Sequence, residues 1–384
     1  MALPISGPRC SFSFFIIFLA VTLVIFEAKS ETIDVSLREK VETIPSSGFT
    51  QPELEVTTFM PPGDGPFPIV VINHGRSLGD ARFQERYRPL LAAREFISRG
   101  YAVVVPMRQG FSKSGGNEIA GGCNVYSNGL QQAISVKRTI DWTASKIWAD
   151  ATRILVMGQS HGGLTTLAYG MDPAAGVKLL VNFAGGLKQT GCSGWEANLI
   201  RAFSDYGEKT KLPSIWFYGD NDSYFQPYVW KEGFERYNKN GGQAELIAFG
   251  NFGNDAHGMF SSRDGLPIWL PVVMAHLSKI GMPTSIVHEA RSTPDITPPP
   301  ESGFALINDV EKVPLKTERA REGYRAWLKA APPKAFAIHP TKGSWASAWG
   351  GNTPYSRALS QCEKFANEPC RLYAVDDRVV WLKE

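Results

Sequence analysis

The chain contains several short runs that are apolar at nearly every position. They are "FPIVVIN" from Phe67, "YAVVVP" from Tyr101, "RILVM" from Arg153, "VKLLVNF" from Val177, "PSIWFY" from Pro213 and "AELIAF" from Ala244. A strand with one wet face alternates apolar and polar residues. A strand that is apolar throughout is buried on both faces. Helical patterns separate the runs, among them "ERYRPLLAAREFISRG", "LQQAISVKRTIDWTASK", "WEANLIRAFSDYG" and "LPIWLPVVMAHLSKIG". Strands of this kind alternating with helices predict an α/β fold, with a mostly parallel central sheet and helices on both faces, over about residues 31–285. The 384 residues leave room for an appendage,.

After Gly281 the character changes. "TPDITPPPES" reads as a Pro-rich linker, and "LKTERAREGYRAWLKAAPP" contains one charged helix, so linker and helix are expected over 286–333,. Residues 334–384 read as a small C-terminal α+β domain, with a helix around Ala358–Phe365 and a strand near Leu372–Trp381. At the other end, Arg9 precedes "SFSFFIIFLAVTLVIF" and then "EAKS". This reads as a signal peptide over residues 1–30, cleaved after Ser30, and implies a secreted or periplasmic protein. The apolar core is shorter than the roughly 20 residues a spanning helix needs. A membrane is therefore expected as a partner only through an uncleaved signal segment. The formal net charge of +3 gives no reason to expect nucleic acid as a partner,.

Beyond the leader there are four cysteines, an even number that in an exported chain predicts two disulfides. Cys123 and Cys192 lie in loops that leave the carboxyl ends of strands, and Cys362 and Cys370 are eight residues apart around a helix end. The expected pairs are Cys123–Cys192 and Cys362–Cys370. Four buried thiols, or bridges from the appendage to the active-site loops, are the alternatives.

"ILVMGQSHGGL" (Ile154–Leu164) places Ser160 between Gly158 and Gly162, at the end of a buried strand. An abrupt turn from strand to helix leaves no room for side chains two residues before and two after the corner. It lifts the corner hydroxyl clear of the sheet. A serine hydroxyl needs a base, and the base needs an orienting carboxylate. His257, in "NDAHGMF" after a late strand, is the expected base. The His161 side chain, next to Ser160, should point away from the hydroxyl. "IWFYGDNDSYF" offers Asp222 and Asp220 after a strand. Asp222, three residues past Gly219, is preferred. No His/Cys/Asp cluster has metal-ligand spacing and no phosphate loop is present, so no metal and no cofactor are expected.

The order Ser160, Asp222, His257 on an alternating sheet, with "VVINHGRS", "MRQGFSKSGG", "GQSHGG", "FYGDND" and "DAHG", resembles the α/β-hydrolase superfamily. Within it the chain looks most like exported dienelactone-hydrolase-like or dipeptidyl-peptidase-like serine hydrolases. The nucleophile is serine where dienelactone hydrolases use cysteine. The resemblance implies an oxyanion hole made by the main-chain N–H groups of His161 and Arg76. It implies no cofactor. His74 is then a loop-shaping residue, and Arg108 braces a site loop or, alternatively, binds a substrate carboxylate. The resulting expectation is an exported serine hydrolase acting on a small-molecule carboxylic ester through an acyl-enzyme. A serine peptidase or amidase of the same fold, and a non-catalytic secreted binding protein, are the competing readings.

Overall fold

The structure is a computed structural model. It describes residues 33–48, 50–77, 79–119, 122–290, 295–330, 332–350 and 353–382. The expected signal peptide lies outside them.

Eight strands form one sheet: β1 (Lys40–Ile44), β2 (Leu54–Phe59), β3 (Phe67–Asn73), β4 (Ala102–Pro106), β5 (Ala149–Gln159), β6 (Val177–Phe183), β7 (Pro213–Tyr218) and β8 (Gln243–Ala248). Their spatial order is β1-β2-β4-β3-β5-β6-β7-β8. From β4 to β8 every neighbouring pair is parallel, and β2 runs antiparallel to both β1 and β4. This is the mostly parallel sheet that the apolar runs predict, in the α/β-hydrolase fold that the resemblance implies.

The pleat explains why those runs are apolar throughout. Val71, Val104 and Val156 are neighbours across β3, β4 and β5. They enter a core completed by helices α2 (Val125–Ala144), α3 (His161–Tyr169), α4 (Trp195–Lys209) and α5 (Pro227–Lys239). Their neighbours Val70, Val103 and Leu155 face the opposite way. They pack with α1 (Leu90–Ile97) and α6 (Leu266–Lys279). Each such valine or leucine contributes about 1.5–3 kcal/mol by leaving water, so a polar residue on either face would be costly.

Several elements differ from expectation. α1 starts at Leu90, not near Glu85. Pro89 disfavours helical backbone at Arg88, and the extended segment turns Arg86 and Arg88 onto the buried carboxylate of Glu39, at 2.6 and 2.5 Å. β1, β2 and α5 have no counterpart among the expected elements. β1 is an edge strand with half-exposed residues and carries no continuous apolar run.

The C-terminal region holds a second, four-stranded antiparallel sheet: β9 (Lys334–Ile338), β10 (Trp345–Trp349), β11 (Arg371–Val375) and β12 (Arg378–Val379), in the order β10-β9-β11-β12. β9 and β10 hide in "KAFAI" and "WASAW", because alanine by itself favours helix. The reason for alanine lies in the packing. Ala335, Ala337, Ala346 and Ala348 make a shallow face on which α8 (Pro354–Ala366) lies through Ala358, Cys362 and Ala366. Phe336, Ile338 and Trp345 face the other way and pack on α7 (Glu318–Leu328) through Tyr324 and Trp327. The helix expected to belong with a linker over 286–333 is therefore part of the C-terminal core. The early linker is also fastened down. Pro283 accepts a 2.6 Å bond from the Tyr101 hydroxyl, and Val287 N–H donates to Ser98. Asp295 accepts the main-chain N–H groups of Tyr355 and Ser356 at the start of α8. Across the two sheets' territories, Arg357 stands 3.9 Å from Glu85.

Both expected disulfides are present. Cys123 and Cys192 have Cα atoms 5.6 Å apart, and Cys362 and Cys370 6.0 Å apart. Two disulfides fit an oxidising compartment. Among the described residues no helix is long and apolar enough to cross a membrane. The Cys123–Cys192 bridge closes a separation of 69 residues. Replacing both cysteines by serine is expected to cost roughly 2–4 kcal/mol. Urea unfolding of the purified variant checks this, and a loss under about 1 kcal/mol would show that the bridge does not constrain the unfolded chain.

Candidate active site

β5 ends at Gln159 and α3 begins at His161, so Ser160 is the whole connection. Its backbone sits at φ 56°, ψ −124°. For a non-glycine residue this is strained, at a cost on the order of 1–3 kcal/mol. The surroundings enforce it. Ser160 N–H donates to Phe183 O at 2.9 Å, and Ser160 O accepts from Gly163, Leu164 and Gly186. The flanking glycines are required by contact. A Cβ on Gly158 would lie 2.2 Å from Gly162 O, and one on Gly162 would lie 2.1 Å from Asn73 O.

The expected base and acid meet. His257 Nδ1 lies 2.9 Å from Asp222 Oδ2 and 3.2 Å from Oδ1. The Asp222 side chain is fully buried, and Oδ1 also accepts the N–H groups of Tyr224 and Phe225 at 2.8 and 3.0 Å. A carboxylate on Nδ1 fixes the proton there and leaves the Nε2 lone pair for another partner. Asp220 is exposed and takes no part. Its N–H donates to Gly250 O at the end of the β7 turn.

Three residues outside the expected triad hold this pair in place. Gln159 Nε2 donates to His257 O at 2.6 Å, while Gln159 Oε1 accepts from Ser261 Oγ at 3.2 Å. The residue before Ser160 thus grips both ends of the tight turn Ala256–Ser261 that carries His257. Asp255 accepts His257 N–H at 2.9 Å and Ser223 N–H at 3.0 Å, joining the base loop to the acid loop. The Tyr224 ring lies 4.4 Å from the imidazole. A polar glutamine ending a buried strand was the one visible signal. Asp255 and Tyr224 gave none beyond nearness to His257 and Asp222 in sequence.

Arg76 and His161 lie on either side of the elbow. A Cβ placed on Gly75 would be 3.8 Å from Ser160 Oγ, which puts the Arg76 segment against the hydroxyl. The Arg76 side chain turns to Glu118, at 2.5 and 3.0 Å. The His161 side chain is buried and bonds Asn128 Oδ1 through Nε2 at 2.7 Å. His74 is also buried, with Nδ1 2.6 Å from Gly75 O. Arg108 is buried between the two, reaching His74 O, Gln132 Oε1 and His161 Nδ1. His276 and His339 are engaged elsewhere, with Glu245 and Glu368. One wall carries Trp195 beside Phe225, with the Lys188 ammonium 5.9 Å from the Trp195 ring and 5.8 Å from the Tyr224 ring. The Cys123–Cys192 bridge ties this wall to the loop after β4. Among the described residues no group of three His, Cys, Asp or Glu side chains could hold a metal ion.

Burial, and then the Arg108 charge, hold the pKa of both His74 and His161 well below the ordinary 6.5. Below pH 6.5 the unfolded chain binds protons that the folded chain refuses, so stability falls as the pH falls through that value. The loss at one unit below is up to about 1.4 kcal/mol per histidine. Urea midpoints at pH 7.5 and 5.5 measure it, and a His161→Asn variant should show a shallower decline. Equal midpoints at the two pH values would mean that both imidazoles titrate normally.

Residues 52–212, less than half of the chain, match the family model of the X-Pro dipeptidyl-peptidase (S15 family). No curated protein matches the chain in sequence. Among solved structures, the Pyrococcus furiosus esterase Pf2001 is similar at 16% identity and TM-score 0.46, over 64% of this chain and 94% of its own. A Klebsiella pneumoniae protein, provisionally named a dienelactone hydrolase, is similar at 18% identity and TM-score 0.46, over 63% and 98%. The Pyrococcus horikoshii acylaminoacyl peptidase is similar at 17% identity and TM-score 0.49, over 62% of this chain and 41% of its own. These likenesses say nothing of substrate. The sheet order is that of the α/β-hydrolase fold, and the serine elbow lies inside the segment 52–212 that matches the family model.

Proposed function

We propose that the protein is an exported serine hydrolase that cleaves carboxylic esters. The observation that carries the reading is the buried Asp222–His257 pair, held through Gln159 against the strained Ser160 elbow. Ser160 Oγ attacks the ester carbonyl carbon while His257 Nε2 takes the hydroxyl proton. Asp222 keeps the imidazole in the required tautomer and stabilises its positive charge. The carbonyl oxygen becomes an oxyanion that the N–H groups of Arg76 and His161 stabilise. Collapse expels the alkoxide, which takes the proton from Nε2 and leaves an acyl-serine. Water, activated by the same imidazole, then releases the acid and restores Ser160.

A peptidase reading draws on the family match over 52–212. A dipeptidyl-peptidase must hold a free amino terminus, which is a cation and calls for an open carboxylate. Three carboxylates near the nucleophile are already engaged: Asp222 with His257, Glu118 with Arg76, and Asp255 with Ser223. Lys188 is an exposed cation near the site with no carboxylate partner among the described residues. This favours esters.

Ser160→Ala and His257→Ala are each expected to abolish ester hydrolysis with an unchanged circular dichroism spectrum. Asp222→Asn should lower turnover by about 10³–10⁴-fold, and Asp220→Asn should have little effect. Substantial turnover in the first two would sink the mechanism, and a larger loss at Asp220 would reverse the choice of acid. A panel of p-nitrophenyl esters beside aminoacyl p-nitroanilides should show the higher kcat/KM for esters. The opposite ranking would make the protein a peptidase. Amino-terminal sequencing of the exported protein should begin at Glu31.

A further inference from the structure

We propose that Arg108 is the positioning residue of the oxyanion hole, one guanidinium that fixes both main-chain segments donating to it. The inference rests on the serine-hydrolase reading above and adds a residue to it.

Arg108 follows β4 and is completely buried, which removes the alternative that it binds a substrate carboxylate. Among the described residues no carboxylate pairs with it in direct contact; its contacts are neutral acceptors and the Phe111 ring 5.3 Å away, and Glu118 acts on it only through space. Burying a cation without a counter-anion is costly, and a neutral side chain would make a cheaper brace. The position of its arms gives the cost a purpose. Nη1 donates to His74 O at 2.5 Å, two residues before Arg76. Nη2 is 3.5 Å from His161 Nδ1, on the residue that supplies the other donor. Nε donates to Gln132 Oε1 at 2.9 Å, anchoring the group to α2.

The proton pattern of the network is internally consistent. The Arg108 main-chain N–H donates to His74 Nε2 at 3.0 Å, so His74 carries its proton on Nδ1 and donates to Gly75 O at 2.6 Å, and Gln84 Nε2, 3.3 Å from Nδ1, donates to Gly75 O as well. Arg108 Nη2 faces the His161 Nδ1 lone pair, so His161 carries its proton on Nε2 and donates to Asn128 Oδ1 at 2.7 Å. Both imidazoles must be neutral for this arrangement, and their burial beside a cation keeps them so. Burial brings Arg108 itself down to about 9, which leaves it charged at neutral pH. The chain Arg108–His74–Gly75 ends at the Arg76 amide, and the chain Arg108–His161 ends at the His161 amide. The guanidinium thus holds His74 O, two residues before Arg76, and faces the His161 side chain, while the Arg108 main-chain N–H holds the His74 ring that bonds Gly75 O.

The test compares Arg108→Met and Arg108→Lys with the parent enzyme on a p-nitrophenyl ester and its thionoester. Sulfur is a poor acceptor, so the preference for oxygen over sulfur reads the oxyanion hole directly. Arg108→Met is expected to lower kcat about 100-fold with KM within about threefold, the loss typical of a missing oxyanion donor. The oxygen-over-sulfur preference should fall at least about tenfold with it. Lysine keeps the charge but cannot span His74 O and His161 Nδ1 together, so Arg108→Lys should show the same pattern in smaller measure. It serves as the deciding variant where Arg108→Met does not fold. A folded variant with near-parental kcat overturns the proposal. So does a loss of kcat with the oxygen-over-sulfur preference intact, which would mark general packing. Ser160→Ala runs alongside, and turnover persisting in it overturns the nucleophile assignment independently of Arg108.

Discussion

The close approach of β5 and α3 to β3 underlies the site. Gly158 and Gly162 touch across the elbow, and Gly162 lies against the main chain of Asn73. Three backbones meet where side chains would normally separate them. This contact holds Ser160 in its strained conformation and brings the segment after β3, with Gly75 and Arg76, against its hydroxyl. A larger residue at Gly162 would push β3 away and move both Ser160 and the segment that carries Arg76. The strain at Ser160 is stable only because the sheet on either side is fully buried and cannot relax around it.

From this fixed point polar contacts hold the rest of the site. Gln159 reaches over the carboxyl edge of the sheet to the turn that carries His257. Asp255 joins that turn to the loop after β7, where the N–H groups of Tyr224 and Phe225 hold Asp222. On the other side Glu39 pins Arg86 and Arg88, and Gln84 of the same segment bonds Ser77 N–H beside Arg76. Each catalytic loop is therefore tied to a neighbour by a side chain whose own position is set by a strand or a helix start. That arrangement keeps loop residues within the small tolerance that the proposed acyl transfer would demand.

The C-terminal region solves a different packing problem. Its sheet presents an alanine face to one helix and an aromatic face to the other, so α8 lies close while α7 is held off by Phe336 and Trp345. The Cys362–Cys370 bridge joins the end of α8 to the start of β11 inside the alanine-lined core. The fastened segment after α6 and the cap that Asp295 gives α8 connect this unit to the larger sheet at both ends. It is part of the folded body.

The sequence by itself determined the elements whose signal is local. Runs of valine and leucine named the central strands, because burial on both faces leaves no polar positions. Two glycines around a serine named the elbow, because that turn excludes side chains. Four cysteines named the bridges. Tertiary structure decided what depends on distant partners. Proline and the buried Glu39 carboxylate shortened α1, and packing on α8 turned alanine-rich segments into strands against their local preference. The spacing from Gly219 only ranked Asp222 above Asp220. Only the position of His257, itself set by Gln159, distinguishes them. Arg108 shows the same limit. Its motif marked it as important, but the sequence left open whether it served a loop or a substrate, since that depends on whether the folded chain leaves it any water.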